Sequence, residues 1–242
     1  MVAIDFSRRS DMPELMDTEE CDFETFRGCL VDLSWVNRMS FGYRPTLSFL
    51  DDAARSGLLP IDRPLRIVDV GSGYGDMLRQ VFAWSRRRGI AVSMTGVDLN
   101  PWSAKAASEA TPAGVPVEWR TGDVFEEVFE DPVDLVISSL FTHHLDDEAL
   151  VRFLSWMEHV ASVGWFVNDL HRHELPYRFF TLASRAMRMH RFVQHDGPVS
   201  FARSFERQDW LRLLAAAGVP ADAASLRWWM PYRLCVERLR AG

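Results

Sequence analysis

The chain has 242 residues, 48% of them apolar and 25% charged, with a formal net charge of −7. That length suits one large domain with additions and buries a core without staples, and the 16 Phe and 9 Trp argue against a disordered chain. The acidic balance argues against a nucleic-acid binder, and no stretch approaches the ~18 apolar residues of a membrane span. The opening MVAIDFSRRSDMPELMD, acidic and broken by Pro13, is no signal peptide, so a cytoplasmic location is expected. Cys21, Cys29 and Cys235 are too few and too scattered for a disulfide framework or a zinc site, and no metal is expected.

In chain order, residues 1–60 read as helical. Phe23, Phe26, Leu30, Leu33 and Val36 recur at helical steps, and a second helix is predicted from Pro45 to about Arg55, stopped by Gly57 and Pro60. The period then changes. Leu65 to Val70 reads as a short buried strand, followed by a glycine turn and a helix over Asp76 to Arg88. Strands are predicted at 91–98, 116–121, 133–138 and 163–169. One helix is opened by Asn100-Pro101, and another spans 147–160 with Asp146 as cap and Leu145 stapled to Leu150. Such alternation implies a parallel sheet with helices on both faces. After residue 170 the pattern breaks for about 35 residues; a helix at 206–217 and two strands around Met230-Pro231 complete the chain.

The glycine turn reads Asp69-Val70-Gly71-Ser72-Gly73-Tyr74-Gly75-Asp76. A dinucleotide site wants G-x-G-x-x-G, with its third glycine where Asp76 stands, to pack helix on strand beside a pyrophosphate. Asp69 and Asp76 would instead repel a phosphate and suit a cationic ligand. S-adenosylmethionine carries a sulfonium and an ammonium and no phosphate. Asp98, with Leu99 beside it, ends the second strand, where a carboxylate accepts from both ribose hydroxyls. Asp123 follows the third strand and is placed to accept from an adenine amino group, with Val124 and Phe125 flanking the ring.

With these motifs the chain resembles the class I S-adenosylmethionine-dependent methyltransferases, of the UbiE-like small-molecule type. VDVGSGYGD matches the first motif, VDLN the acid-ended second strand, GDVF the adenine motif and DLVISSLFTHHLDDE the fourth-strand segment with its His-His-Leu sequel. The resemblance covers about residues 64–170 well and 204–240 loosely. It implies a Rossmann-like α/β fold: a seven-stranded, mostly parallel sheet with an antiparallel last strand, and the cofactor across the carboxyl ends of strands one to four. Asp69, Gly71, Ser72, Gly73, Asp98, Leu99, Asp123, Val124 and Ser139 are the expected cofactor residues. The expected organisation is a helical lid over residues 1–60 and a methyltransferase domain over 61–242, with a helical cap inserted at about 171–205.

The fourth strand runs into Ser138-Ser139-Leu140-Phe141, not the Asn/Asp-Pro-Pro-Tyr/Phe tetrapeptide of many DNA and protein-amine methylases. What stands there is His143-His144, and Asp169 ends the fifth strand. A histidine oriented by a carboxylate is a sensible base for a hydroxyl at neutral pH, so His143 is the expected base, His144 the alternative and Asp169 the partner. Phe141, His171, Tyr177 and Phe179 are expected to contact substrate. If 176–190 is helical, Phe180, Ala183 and Met187 form an apolar stripe beside Arg178, Arg185 and Arg188, suited to an aromatic or alkyl substrate, to the core, or to peripheral contact with a membrane. LVDLSWVNRMSFGYRP and the 168–205 stretch are similar to methyltransferases found beside bacterial polyketide synthases. The expected reaction is O-methylation of a small phenolic or polyketide-type hydroxyl. Its rivals are C-methylation of an isoprenoid quinone precursor or other small acceptor, and a non-catalytic cofactor-binding regulatory module.

Overall fold

The computed structural model describes residues 4–240; residues 1–3 of the expected lid and 241–242 of the expected domain lie outside them. Seven strands form one sheet in the order β3-β2-β1-β4-β5-β7-β6. They are β1 (Leu65–Val70), β2 (Val92–Asp98), β3 (Val117–Thr121), β4 (Leu135–Ser139), β5 (Gly164–Leu170), β6 (Ser225–Trp229) and β7 (Arg233–Leu239). The first five pair in parallel, and β7 runs antiparallel between β5 and β6. The expected topology stands.

β1 is almost wholly buried because helices cover both of its faces, which is why it reads as a continuous apolar run. Val68 and Val70 pack toward α6 (Asp147–Val160) and α9 (Arg207–Ala216). The alternate residues Leu65 and Ile67 pack toward α3 (Arg44–Arg55) and α4 (Asp76–Arg88). The caps follow the sequence signals. The Asp146 side chain accepts from Ala149 N at the start of α6, Asn100 accepts from Trp102 N at the start of α5 (Pro101–Ala110), and Arg86, Arg87 and Arg88 sit at the negative end of α4.

Before β1 come α1 (Leu15–Thr18) and α2 (Phe23–Met39), besides α3. The expected helical cap after β5 consists of two packed helices, α7 (Glu174–Ala186) and α8 (Arg191–Arg203). Gly197 and Pro198 both lie inside α8. Gly197 is needed for contact: a Cβ there would fall 2.1 Å from the Phe180 ring of α7. α1 is tied to this pair through Asp196, whose carboxylate accepts from Leu15 N (2.7 Å) and Met16 N (3.0 Å).

Candidate functional site

At the carboxyl rim of β1 the chain turns through Gly71, Gly73 and Gly75, with φ of 71°, 48° and 71°. This left-handed backbone favours glycine, and space is equally short: a Cβ on Gly71 would meet the Phe141 ring at 2.7 Å, and one on Gly75 the Trp119 ring at 2.2 Å. Asp98 holds the turn to β2, accepting from Gly73 N and Asn100 N at 2.9 Å each.

Around this rim opens a cavity of about 1350 Å³, beyond the ~300–1,000 Å³ of a typical single-ligand pocket. Its walls include Asp69, Asp98, Leu99, Asp123, Val124 and Ser139. Asp69 is 2% exposed and its Oδ1 has no hydrogen-bond partner; Ser139 Oγ is also buried and unpartnered. Burial, then the charges of Asp76 and Asp98, hold the Asp69 carboxyl well above the usual carboxylate range. Burial likewise raises Asp98 against the bonds from Asn100 and Gly73. Buried carboxylates without a cation, beside exposed turn backbone, fit a cationic nucleoside cofactor. Asp123 accepts from Phe125 N at 3.0 Å, shaping the turn after β3.

Further along the rim, a single 3-10 turn (Thr142–His144) presents both histidines. Asp169, fully buried at the end of β5, accepts from Thr142 Oγ1 (2.5 Å), His143 N (3.0 Å) and Leu170 N (2.7 Å), and lies 2.7 Å from His143 Nδ1. Burial pushes this carboxyl up, but His143 and the bonds from Thr142 and Leu170 outweigh it and hold the value at about 2. Asp169 is therefore ionised and faces Nδ1 of His143, so it orients the ring. His143 lines the cavity. His144, also on the wall, has Nδ1 2.8 Å from Asp17; burial opposes its charged form, but Asp17 and Glu14 raise it to about 8.

Two arginines brace this turn from outside. Arg9 donates to the carbonyls of His143 (3.3 Å) and Leu145 (2.7 Å), and Arg203 to those of His143 (3.0 Å) and His144 (2.8 Å).

The structure does not bring every expected residue to the cavity. Phe141 forms its floor beneath Gly71, and Phe179 stands at its mouth, 70% exposed. Phe180, Ala183 and Met187 line it together, so the stripe on α7 faces inward. Tyr177 instead packs edge-on against Phe6, with ring centroids 5.4 Å apart. His171 bridges to Phe205 and stacks near Tyr232, and is not among the residues lining the cavity.

Sequence reasoning missed Glu14 and Tyr43. Glu14, 3% exposed, brings Oε1 to 3.5 Å from His143 Nε2 and Oε2 to 3.7 Å from His144 Nε2. The Tyr43 hydroxyl lies 2.7 Å from Asp76 and ties the segment before α3 to the glycine turn. Among the described residues, Glu14, His143 and His144 also have the spacing to hold a metal ion, their ligand atoms lying within 4.8 Å of one another.

Comparison with known proteins agrees with this geometry. Residues 67–164 match the family described as "Methyltransferase domain". The plantazolicin methyltransferase BpumL, solved with SAH, superposes with a TM-score of 0.60 at 14% identity, over 90% of this chain and 96% of that one. Human N-acetylserotonin methyltransferase, solved with SAM, gives 0.62 at 15% identity, over 91% of this chain and 57% of that one. Magnesium protoporphyrin IX methyltransferase from Synechocystis, with bound SAH, gives 0.53 at 14% identity, over 83% and 84%. No curated protein matches the sequence.

Proposed function

We propose that this chain, which carries a methyltransferase domain of the class I fold and takes S-adenosylmethionine as cofactor, methylates a hydroxyl on a small phenolic or polyketide-type acceptor with His143 as general base. The observation that supports this reading is the buried His143–Asp169 pair, 2.7 Å apart, on the wall of a cavity large enough for two ligands, with Glu14 beside Nε2. When bound, S-adenosylmethionine supplies a methyl group on a positively charged sulfur. The protein's own part is alignment, water exclusion and proton removal. Asp69, Asp98 and the glycine turn hold the cationic nucleoside. Nε2 of His143 takes the acceptor's hydroxyl proton, and Asp169 and Glu14 stabilise the resulting imidazolium.

The inward stripe of α7 and the rings of Phe141 and Phe179 support an aromatic or alkyl acceptor. The structural neighbours named for plantazolicin and N-acetylserotonin support a small molecule over a macromolecule. The proposed lid over residues 1–60 and cap at about 171–205 belong to this reading, supported by the cavity-lining residues each contributes, among them Glu14, Leu30 and Tyr43, and Phe180, Ala183 and Met187. No helix of the described residues is long and apolar enough to cross a membrane.

The test is methyl transfer to a panel of phenols and enols, with SAH binding measured in parallel, for wild type and His143→Ala. Lost turnover with retained SAH affinity supports the base. Unchanged turnover overturns it. Turnover that survives EDTA separates the base from a metal held by Glu14, His143 and His144.

A further inference from the structure

Two helices of the described residues are apolar on the side that the core does not use. α2 buries Phe26, Cys29 and Leu30, while Val31, Trp35 and Met39, at steps of four, stand 42–59% exposed on its opposite face. α7 turns Phe180 and Ala183 into the cavity, while Leu175, Phe179 and Leu182, at steps of four and three, stand 58–70% exposed on its outer face. A surface helix ordinarily carries one apolar stripe and turns charged residues to water. Six large side chains, each about half exposed or more, reach the ~300–600 Å² of the largest apolar patch on a typical monomer, the size at which a patch marks an interaction site.

Three observations identify what covers them. First, the stripes are neighbours on one face. Leu33 of α2 and Phe180 of α7 share an apolar cluster, and Asp32 of α2 accepts from His190 N (2.7 Å) in the link between α7 and α8. The β6–β7 turn adjoins both helices: the Tyr232 ring lies 5.3 Å from that of His173 at the start of α7, Arg233 Nη2 donates to Asn37 Oδ1 of α2 (3.2 Å), and Met230 is 72% exposed. Second, the apolar face runs on into the cavity, because Trp35, Met39, Leu175 and Phe179 line it as well as facing water. Third, the rim is cationic in a chain of net charge −7. Arg38 on α2, Arg44 at the start of α3, and Arg185 and Arg188 on and just after α7 are exposed, with no carboxylate within salt-bridge distance among the described residues. The one acid of α7, Glu174, is taken up by Arg178 at 2.5 Å. A second copy would set this cationic rim against itself. An anionic lipid surface answers the stripes and the charges together, since arginine stems lie along apolar surface while their heads reach phosphate.

We propose that the face built by α2, α7 and the β6–β7 turn docks on an anionic lipid bilayer with the cavity mouth against the lipid, so that an acceptor dissolved in the membrane enters without crossing water. The contact is peripheral: the two stripes sink to the boundary between headgroups and acyl chains, about 5–10 Å deep, and the arginines stay at headgroup level. Entry of the acceptor from lipid rests on the proposed reading of the site, but the docking and its test need no methyl transfer.

The full chain is sedimented with vesicles of phosphatidylcholine containing about 30% phosphatidylserine, and with vesicles of phosphatidylcholine alone. Partition onto the anionic vesicles is expected to be at least roughly tenfold stronger and to fall as salt rises, each arginine near such a surface being worth about fivefold. Arg185→Glu with Arg188→Glu should weaken it by at least about 25-fold, the worth of two arginines. Val31→Ser with Leu182→Ser, two exposed positions that do not line the cavity, should weaken it by about tenfold or more while SAH affinity and melting temperature hold. The proposal is overturned if the chain stays in the supernatant with both kinds of vesicle, if it binds neutral vesicles equally well, or if neither double variant releases it. A dimer in sedimentation velocity that Val31→Ser with Leu182→Ser dissociates gives the face to a second copy and equally overturns it. His143→Ala should bind the anionic vesicles as the wild type does, so failure of the base and failure of the docking face read out separately.

Discussion

Asp134 and Asp69 are carboxylates buried at opposite rims of the same two neighbouring strands, and only the first is answered by the chain. Asp134, just before β4, takes two 2.7 Å bonds from Arg63 and a 2.9 Å bond from Arg66 N. Burial pushes it up, but Arg63 and the Arg66 amide draw it below the usual carboxylate range. Asp69, at the end of β1, has an oxygen with no partner and is raised instead. At the amino rim the charge of Asp134 is settled within the chain; at the carboxyl rim Asp69 is left open beside the cavity, on the side of the sheet where open α/β sheets bind their ligands.

The largest expected effect falls on the open rim. His143→Ala should lower turnover by about 10²–10⁴-fold, the usual worth of a positioned base, with SAH affinity unchanged by calorimetry. An equal loss of both would erase the distinction between holding the cofactor and moving the proton. Asp69→Asn should do the reverse, weakening SAH by roughly 100-fold, about 2.7 kcal/mol. In the absence of ligand it should also stabilise the protein. A carboxyl whose folded pKa is raised contributes stability below its unfolded value and loses it as pH rises through the folded one. Thermal melts from pH 5 to 8 should therefore flatten in this variant.

Asp134→Asn sharpens the contrast from the closed rim: SAH affinity should hold while the fold loses about 2 kcal/mol in chemical denaturation. Here the folded pKa is depressed, so the wild-type contribution is present above the unfolded value and disappears as pH falls through the folded one. The smallest effect concerns Asp17 and His144. The folded pKa of His144 is raised to about 8, so its bond to Asp17 is fully present below about 6.5 and is lost as pH rises past 8. Amide exchange in residues 14–18 should accelerate between pH 7 and 9, by on the order of 1 kcal/mol given the half-exposed Asp17, and Asp17→Asn should weaken that dependence, with Glu14 sustaining the remainder.

What the sequence revealed follows the same division. β1, the glycine turn, α4 and α6 were legible because periodicity, caps and glycine spacing are local signals. Asp69, Asp98 and the His143–Asp169 candidates followed from their places at strand ends. The cap was legible only as a helical segment over about 171–205; its division into α7 and α8, and the contact of Gly197 with the Phe180 ring, come from tertiary packing. Glu14 has no local signal: it sits among acidic residues of a polar segment, and only contact with a turn about 130 residues away gives it meaning. Tyr177 and His171 show the converse, chemically plausible side chains that the backbone carries elsewhere.

The bracing of the histidine turn by Arg9 and Arg203 has a kinetic corollary. Arg9 also donates to the Arg203 carbonyl at 2.9 Å, a contact between residues 194 positions apart. Closing so long a loop is slow compared with pairing β1 to β2 or docking α4. During refolding, far-UV circular dichroism should accordingly recover before methyl transfer does, with the sheet in place while the turn bearing His143 still waits for both of its braces. Arg9→Ala should widen that lag between secondary structure and activity.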